Sequence, residues 1–107
     1  MHGELTIPDA AMRDSDSREM ARVLIAEKGL HCSLRIGMYA DRQDVQESVA
    51  WGIILADLAR HAASALSQGH GSNLESTVAA IRDAIVKELE KPTSDVRGAF
   101  PAKSPDA

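Results

Sequence analysis

Residues 44–67 read DVQESVAWGIILADLARHAASALS, and this stretch decides the fold. Asp44 and Glu47 stand at the spacing of a helix N-cap and its reciprocal partner one turn on, which predicts a helix from Asp44 to about Ser67. Val45, Val49, Gly52, Ala56, Ala59, Ala63 and Leu66 recur by fours and threes, so they form one seam of mostly small residues along which a second helix can approach closely. In such a seam Ala56→Leu is expected to cost about 1–3 kcal/mol. Trp51, Leu55, Leu58, Ala62 and Ala65 form an adjacent stripe, and together the two leave the central turns apolar around most of the circumference. A helix of that kind is expected to be covered on more than one side.

Downstream, Gln68-Gly69-His70-Gly71 reads as a break. Ser72 with Glu75 then reads as a capping box for a second helix ending near Lys91, ahead of Pro92. Leu74, Val78, Ile81, Ile85 and Leu89 line one face of it. Upstream, the apolar run Val23-Leu24-Ile25 and the strict alternation of Leu30, Cys32, Leu34, Ile36 and Met38 with polar or small residues read as two strands of a hairpin. A two-residue Lys28-Gly29 loop would force Lys28 to positive φ, whereas a three-residue loop Glu27-Lys28-Gly29 needs it only at glycine; the three-residue loop is preferred, and it pairs Ala26 with Leu30, Leu24 with Cys32 and Arg22 with Leu34. The expected fold is therefore α+β: a β-hairpin, with Leu5 and Ile7 available for a short third strand, followed by an αα-hairpin packed on the sheet. Residues 18–91 would form the single α+β domain, with 1–17 a flexible N-terminal segment and 92–107 a flexible C-terminal tail.

The whole chain has 107 residues, 44% hydrophobic and 26% charged, enough for one globular domain. Seventeen residues are alanine and only Trp51, Tyr39 and Phe100 are aromatic, so the core must be aliphatic and closely packed. The net charge of −4, with scattered basic residues, argues against nucleic acid as a partner. The lone Cys32 cannot form an intramolecular disulfide, and no secretory signal is evident at the start, which points to the cytoplasm. The run Ile53-Ile54-Leu55-Ala56 stops at Asp57, far short of the 18 to 20 or so apolar residues a bilayer span needs, so no membrane association is expected.

Chemistry has few places to sit. Asp57 and His61, spaced i,i+4, suit either an oriented imidazole base or two metal ligands. Two ligands are too few for a metal, and an ordinary polar rim, Asp57 with Arg60 or His61, explains the spacing equally well. His31 and Arg35 on the polar strand face, with Tyr39 following, could hold a small anion, or be a solvated sheet face. Cys32 and His31 are neighbours on a strand and point to opposite faces, so they make no thiolate–imidazole pair. Neither a phosphate loop nor a nucleophile elbow is present. No metal site, cofactor or catalytic residue is expected.

Three blocks, Ile25-Ala26-Glu27-Lys28-Gly29-Leu30-His31-Cys32-Ser33-Leu34-Arg35-Ile36-Gly37-Met38-Tyr39, Ala50-Trp51-Gly52-Ile53-Ile54-Leu55-Ala56-Asp57-Leu58-Ala59-Arg60-His61 and Glu88-Leu89-Glu90-Lys91-Pro92-Thr93-Ser94, resemble a family of short bacterial proteins, domain of unknown function 5076. The resemblance covers nearly the whole chain. It implies a bacterial cytoplasmic protein and transfers no functional residue. The expected function is a small, non-enzymatic, self-associating interaction or regulatory module acting as a homodimer. The alternative is a small-ligand (anion or metal) binding protein or minor enzyme using His31, Arg35, Tyr39, Asp57 and His61.

Overall fold

The computed structural model describes residues 3–100. In chain order these form α1 (Asp9–Arg13), β1 (Ala21–Ala26), β2 (Gly29–Leu34), α2 (Glu47–His70), α3 (Leu74–Glu90) and β3 (Val96–Ala99). A hairpin followed by a helical pair, the α+β arrangement expected from the sequence, is what the chain adopts. The chain divides into two compact units. One holds the described residues up to Gly37 together with those from Arg97 onward, and the other holds Met38–Val96.

The first unit is built on a three-stranded sheet in the order β1-β2-β3. β1 and β2 are antiparallel, with Ala26 opposite Gly29, Ile25 opposite Leu30, Val23 opposite Cys32 and Ala21 opposite Leu34. This corrects the register read from the sequence by one residue. The loop is the two-residue Glu27-Lys28, both at positive φ (51° and 64°). Left-handed conformation costs roughly 1–2 kcal/mol for each non-glycine residue. A two-residue loop of this kind nevertheless matches the right-handed twist of the flanking strands. Because side chains alternate, a one-residue slip changes which side chains share a face. Val23 and Ile25 therefore join Leu30, Cys32 and Leu34, while Arg22 and Leu24 lie with His31 and Ser33. Every residue of β1 is exposed, Val23 at 54% and Ile25 at 80%.

The third strand is β3, in the segment read as a tail, and not the Leu5–Ile7 stretch, which forms no strand. Pro8 follows directly after Ile7 and brings no amide to a ladder. β3 lies so close to β2 that a Cβ built on Gly98 would stand 1.8 Å from the carbonyl oxygen of Cys32, and Gly98 has φ +139°. Only glycine fits there. Within the segment 1–17, α1 follows Pro8, with Asp9 in its first turn and Arg13 in its last.

The second unit is the helical pair with its leading loop. α2 begins at Glu47, not Asp44, and its N-cap Gln46 makes no side-chain cap bond. Asp44 is unavailable because its carboxylate accepts from the guanidinium of Arg42, Nε to Oδ1 at 2.9 Å. At the far end α2 runs through Gly69 and His70, where a break was expected, and stops at Gly71. A glycine inside a helix only weakens it, whereas Gly71 takes the left-handed conformation (φ +71°) and returns its amide to the Ser67 carbonyl, the usual glycine helix stop. α3 is capped by Asn73, whose side chain accepts from the Ser76 amide at 3.0 Å, so Asn73 takes the place expected for Ser72.

α2 and α3 pack on each other. Ala63 is completely buried, Ala59 is half-buried, and Thr77, Val78 and Ile81 of α3 are half-buried, so the small-residue seam functions over its C-terminal half. Over its N-terminal half it does not: Val49, Gly52 and Ala56 are exposed, and a Cβ on Gly52 would meet nothing within 4 Å. Ile85 and Leu89, which continue the α3 apolar face, are exposed too.

Candidate functional site

The five residues singled out from the sequence fall in both units, so each is described where it sits. In the first unit, Arg35 is tied to backbone. Its amide donates to the Met20 carbonyl at 2.9 Å and its guanidinium Nε–H to the Glu19 carbonyl at 2.9 Å, which anchors the chain entering β1. Beside it, Arg22 and Glu19 form an exposed ion pair at 3.0 Å. His31 is half-buried on β2, opposite Leu24.

In the second unit, Asp57 lies 3.6 Å from the guanidinium of Arg60, one helical turn away and well exposed. This is the polar rim weighed as an alternative above. His61 is exposed on the same helix. The amide of Tyr39 donates to Glu47 Oε1 at 2.9 Å, and the indole N–H of Trp51 donates to Oε2 of the same carboxylate at 3.2 Å. One carboxylate thus fastens the loop before α2 to the first turns of the helix. The sequence offered a signal for half of this clamp, because Glu47 and Trp51 are spaced i,i+4. The Tyr39 half depends on loop geometry that no spacing reports. Arg42 and Asp44 brace the same loop, and the hydrogen bond from Arg42 holds the Asp44 carboxyl below its usual range.

Among the described residues no polar or charged residue is buried, and no three of His, Cys, Asp and Glu gather at metal-binding distances. A groove of about 710 Å³ lies beside β1, lined by Leu5, Ile7, Met12, Val23 and Leu24 with Arg18 and Arg22 near its apolar walls. None of the five sequence candidates lines it.

Exposed apolar surface is the dominant feature. On α2, Leu55 is 54% and Leu58 59% exposed, Ala62 and Ala65 are exposed, and Trp51 is half-buried. By length and composition alone α2 is able to cross a bilayer, with a mean hydropathy of 1.2. This modifies the sequence reading, which counted an uninterrupted run and stopped at Asp57, whereas the average over a window credits the many alanines. Only 11% of that window is buried within the protein.

No curated protein sequence matches the chain. Its fold is similar to a solved structure described as that of a "putative pyruvate dehydrogenase" from the photosynthetic bacterium Rhodopseudomonas palustrus CGA009, with a TM-score of 0.63 and 23% sequence identity over 89% of this chain and 93% of that one. At that identity the likeness is one of fold. The sequence matches a domain of unknown function, DUF5076, over residues 4–93. The chain belongs to the DUF5076 family.

Proposed function

We propose that this protein is a non-enzymatic, self-associating interaction or regulatory module, a homodimer in the bacterial cytoplasm. The observation that carries this reading is the apolar surface left open on α2 and β1. Fully burying a large aliphatic side chain contributes about 1.5–3 kcal/mol, so each one left half-exposed forgoes on the order of 1 kcal/mol. Val23, Ile25, Leu55 and Leu58 all stand at half exposure or more. Patches of this kind mark interaction sites in soluble proteins.

A bilayer is the poorer cover for α2. Asp57 and Arg60 lie at the middle of the helix, where each charge would cost about 2.5–3.5 kcal/mol at the bilayer centre. The dehydrogenase activity named for the structural neighbour is not carried over, since at 23% identity the likeness is one of fold. The test is the mass in solution. Light scattering across a tenfold dilution series at micromolar concentration should give about twice 11.5 kDa at the upper end. A mass of one chain throughout refutes the reading. A screen of metals and small anions by thermal shift provides the counter-test, since a ligand at a hundred times its Kd adds about 2.7 kcal/mol. Stabilisation that vanishes in His61→Ala or in Arg35→Ala would favour a ligand-binding protein instead.

A further inference from the structure

We propose that the self-association surface is the α2 stripe Trp51, Leu55, Leu58, Ala62 and Ala65, and that two copies of α2 meet on it antiparallel, about a twofold axis at Leu58. The proposal rests on the self-association reading and specifies its geometry. These five residues recur at intervals of four, three, four and three, the spacing at which two helices pack knobs into holes. No charged side chain interrupts the stripe. By contrast, Val49 and Ile53, also exposed, share their side of the helix with Asp57 and Arg60.

The order of sizes along the stripe selects the orientation. The bulky members, Trp51 and Leu55, come first, and the small ones, Ala62 and Ala65, come last. In an antiparallel pair centred on Leu58, Trp51 stands opposite Ala65 of the second copy, Leu55 opposite Ala62, and Leu58 opposite Leu58. The two bulkiest pairings thus set a large side chain against a small one, and only at the axis does Leu58 meet its own copy, which keeps the helix separation close to even. In a parallel pair Trp51 would meet Trp51 and Ala65 would meet Ala65, a wedge with overpacking at one end and a void at the other. A twofold interface is self-complementary by construction, and this stripe has the required pattern.

The area is consistent with a modest dimer. At 1.5 Å per residue the stripe runs roughly 21 Å along the helix. With the flanking half-exposed Leu66, the pair would bury less than about 1,200 Å² in total, the size range of weak, transient interfaces. Such an interface dissociates on dilution.

The test is disulfide trapping in the full chain carrying Cys32→Ser, with folding checked by circular dichroism and mass by light scattering. Leu58→Cys should cross-link rapidly on oxidation, because the two thiols face each other across the axis. Ala65→Cys should not, because the two copies of position 65 lie roughly 21 Å apart along the pair. Arg60→Cys, on the opposite side of α2, sets the background rate. Cross-linking at both 58 and 65 means a parallel pair and overturns the proposal. A dimer mass with neither position above background also overturns it, while leaving self-association standing. A monomer mass at every concentration overturns both, as does a monomer that partitions into phosphatidylcholine–phosphatidylglycerol vesicles.

Discussion

Gly98→Ala tests the closest approach in the sheet. The added methyl would lie 1.8 Å from the Cys32 carbonyl oxygen and 2.7 Å from its carbonyl carbon, both backbone atoms of the central strand, so no side-chain rotation relieves it. The φ of +139° adds conformational strain for any residue with a Cβ. The cheapest relief is for β3 to leave β2, and the worth of that pairing therefore caps the cost. β3 has four residues, all exposed, so its association depends on its few hydrogen bonds rather than on apolar burial. At about 0.5–1.5 kcal/mol net each, a handful of bonds limits the loss to roughly 2–4 kcal/mol, less the chain entropy regained. Gly98→Ala should therefore lower the urea midpoint without abolishing folding, and labelling of the half-buried Cys32 by a thiol reagent under native conditions should become several-fold faster. Gly52→Ala is the matched control. Gly52 lies inside an exposed helix with open space around it, and alanine there should stabilise by about 0.5–1 kcal/mol. If Gly98→Ala leaves both the midpoint and the Cys32 labelling rate at parent values, the close approach of β3 is wrong.

Four further substitutions probe the second unit. Ala63→Leu should cost about 1–3 kcal/mol, lowering Tm by about 4–8 °C per kcal/mol, whereas Ala56→Leu should stay within about 0.5 kcal/mol; equal melting curves for the two would contradict the placement of α3 on the C-terminal half of the seam. Glu47→Ala leaves the Tyr39 amide and the Trp51 indole without their shared acceptor, and should cost about 1–3 kcal/mol with a red shift of Trp51 fluorescence; unchanged emission and stability would dismiss the clamp. Asp44→Asn tests the ion pair with Arg42. Because the Asp44 carboxyl is held below its usual value, the stabilisation is complete above about pH 4 and is lost as pH falls through the lower folded value. Parent and variant urea midpoints should differ by a constant small amount between pH 5 and 8 and converge in acid, and a gap that widens toward acid would reverse the assignment.

What was legible in the sequence, and what was not, follows from how far apart the competing structures lie in energy. The long apolar periods of α2 and α3 and the alternation of β2 commit many residues at once, so the hairpin and the helical pair could be read directly. The hairpin loop was decided by a balance of small terms, the strain of Lys28 and Glu27 at positive φ against the better twist of a two-residue turn, and it came out one residue away. Capping failed for a related reason. Asp44 had a competitor for its carboxylate two residues earlier, in Arg42, and Ser72 stood next to a second good cap in Asn73. β3 was hidden because Val96-Arg97-Gly98-Ala99 is short and contains the glycine that strand propensity penalises, while the reason for that glycine, the Cys32 carbonyl, is distant in sequence. Of the candidate site, the spacing of Asp57 and His61 was visible, but spacing alone ranks Arg60 equally, and an exposed arginine one turn away satisfied the carboxylate.

The apolar surplus was the more informative signal, because it required no choice between near-equal local structures. Val23, Leu24 and Ile25 are apolar on consecutive positions, so no register can hide them all on one face of a two-sided strand. The α2 stripe likewise cannot be turned away together with the seam, since the two adjoin and α3 covers only part of one. Those facts make a surplus of apolar surface an expectation of the sequence, and Leu55 and Leu58 are exposed in the folded protomer. The gradation from Trp51 to Ala65 is a different kind of information. Trp51 is also used within the protomer, where its indole N–H bonds Glu47, but the decline in size from Leu55 and Leu58 to Ala62 and Ala65 is not used in the packing of α2 on α3. Read against an antiparallel second copy, the same order gives level packing along the whole contact.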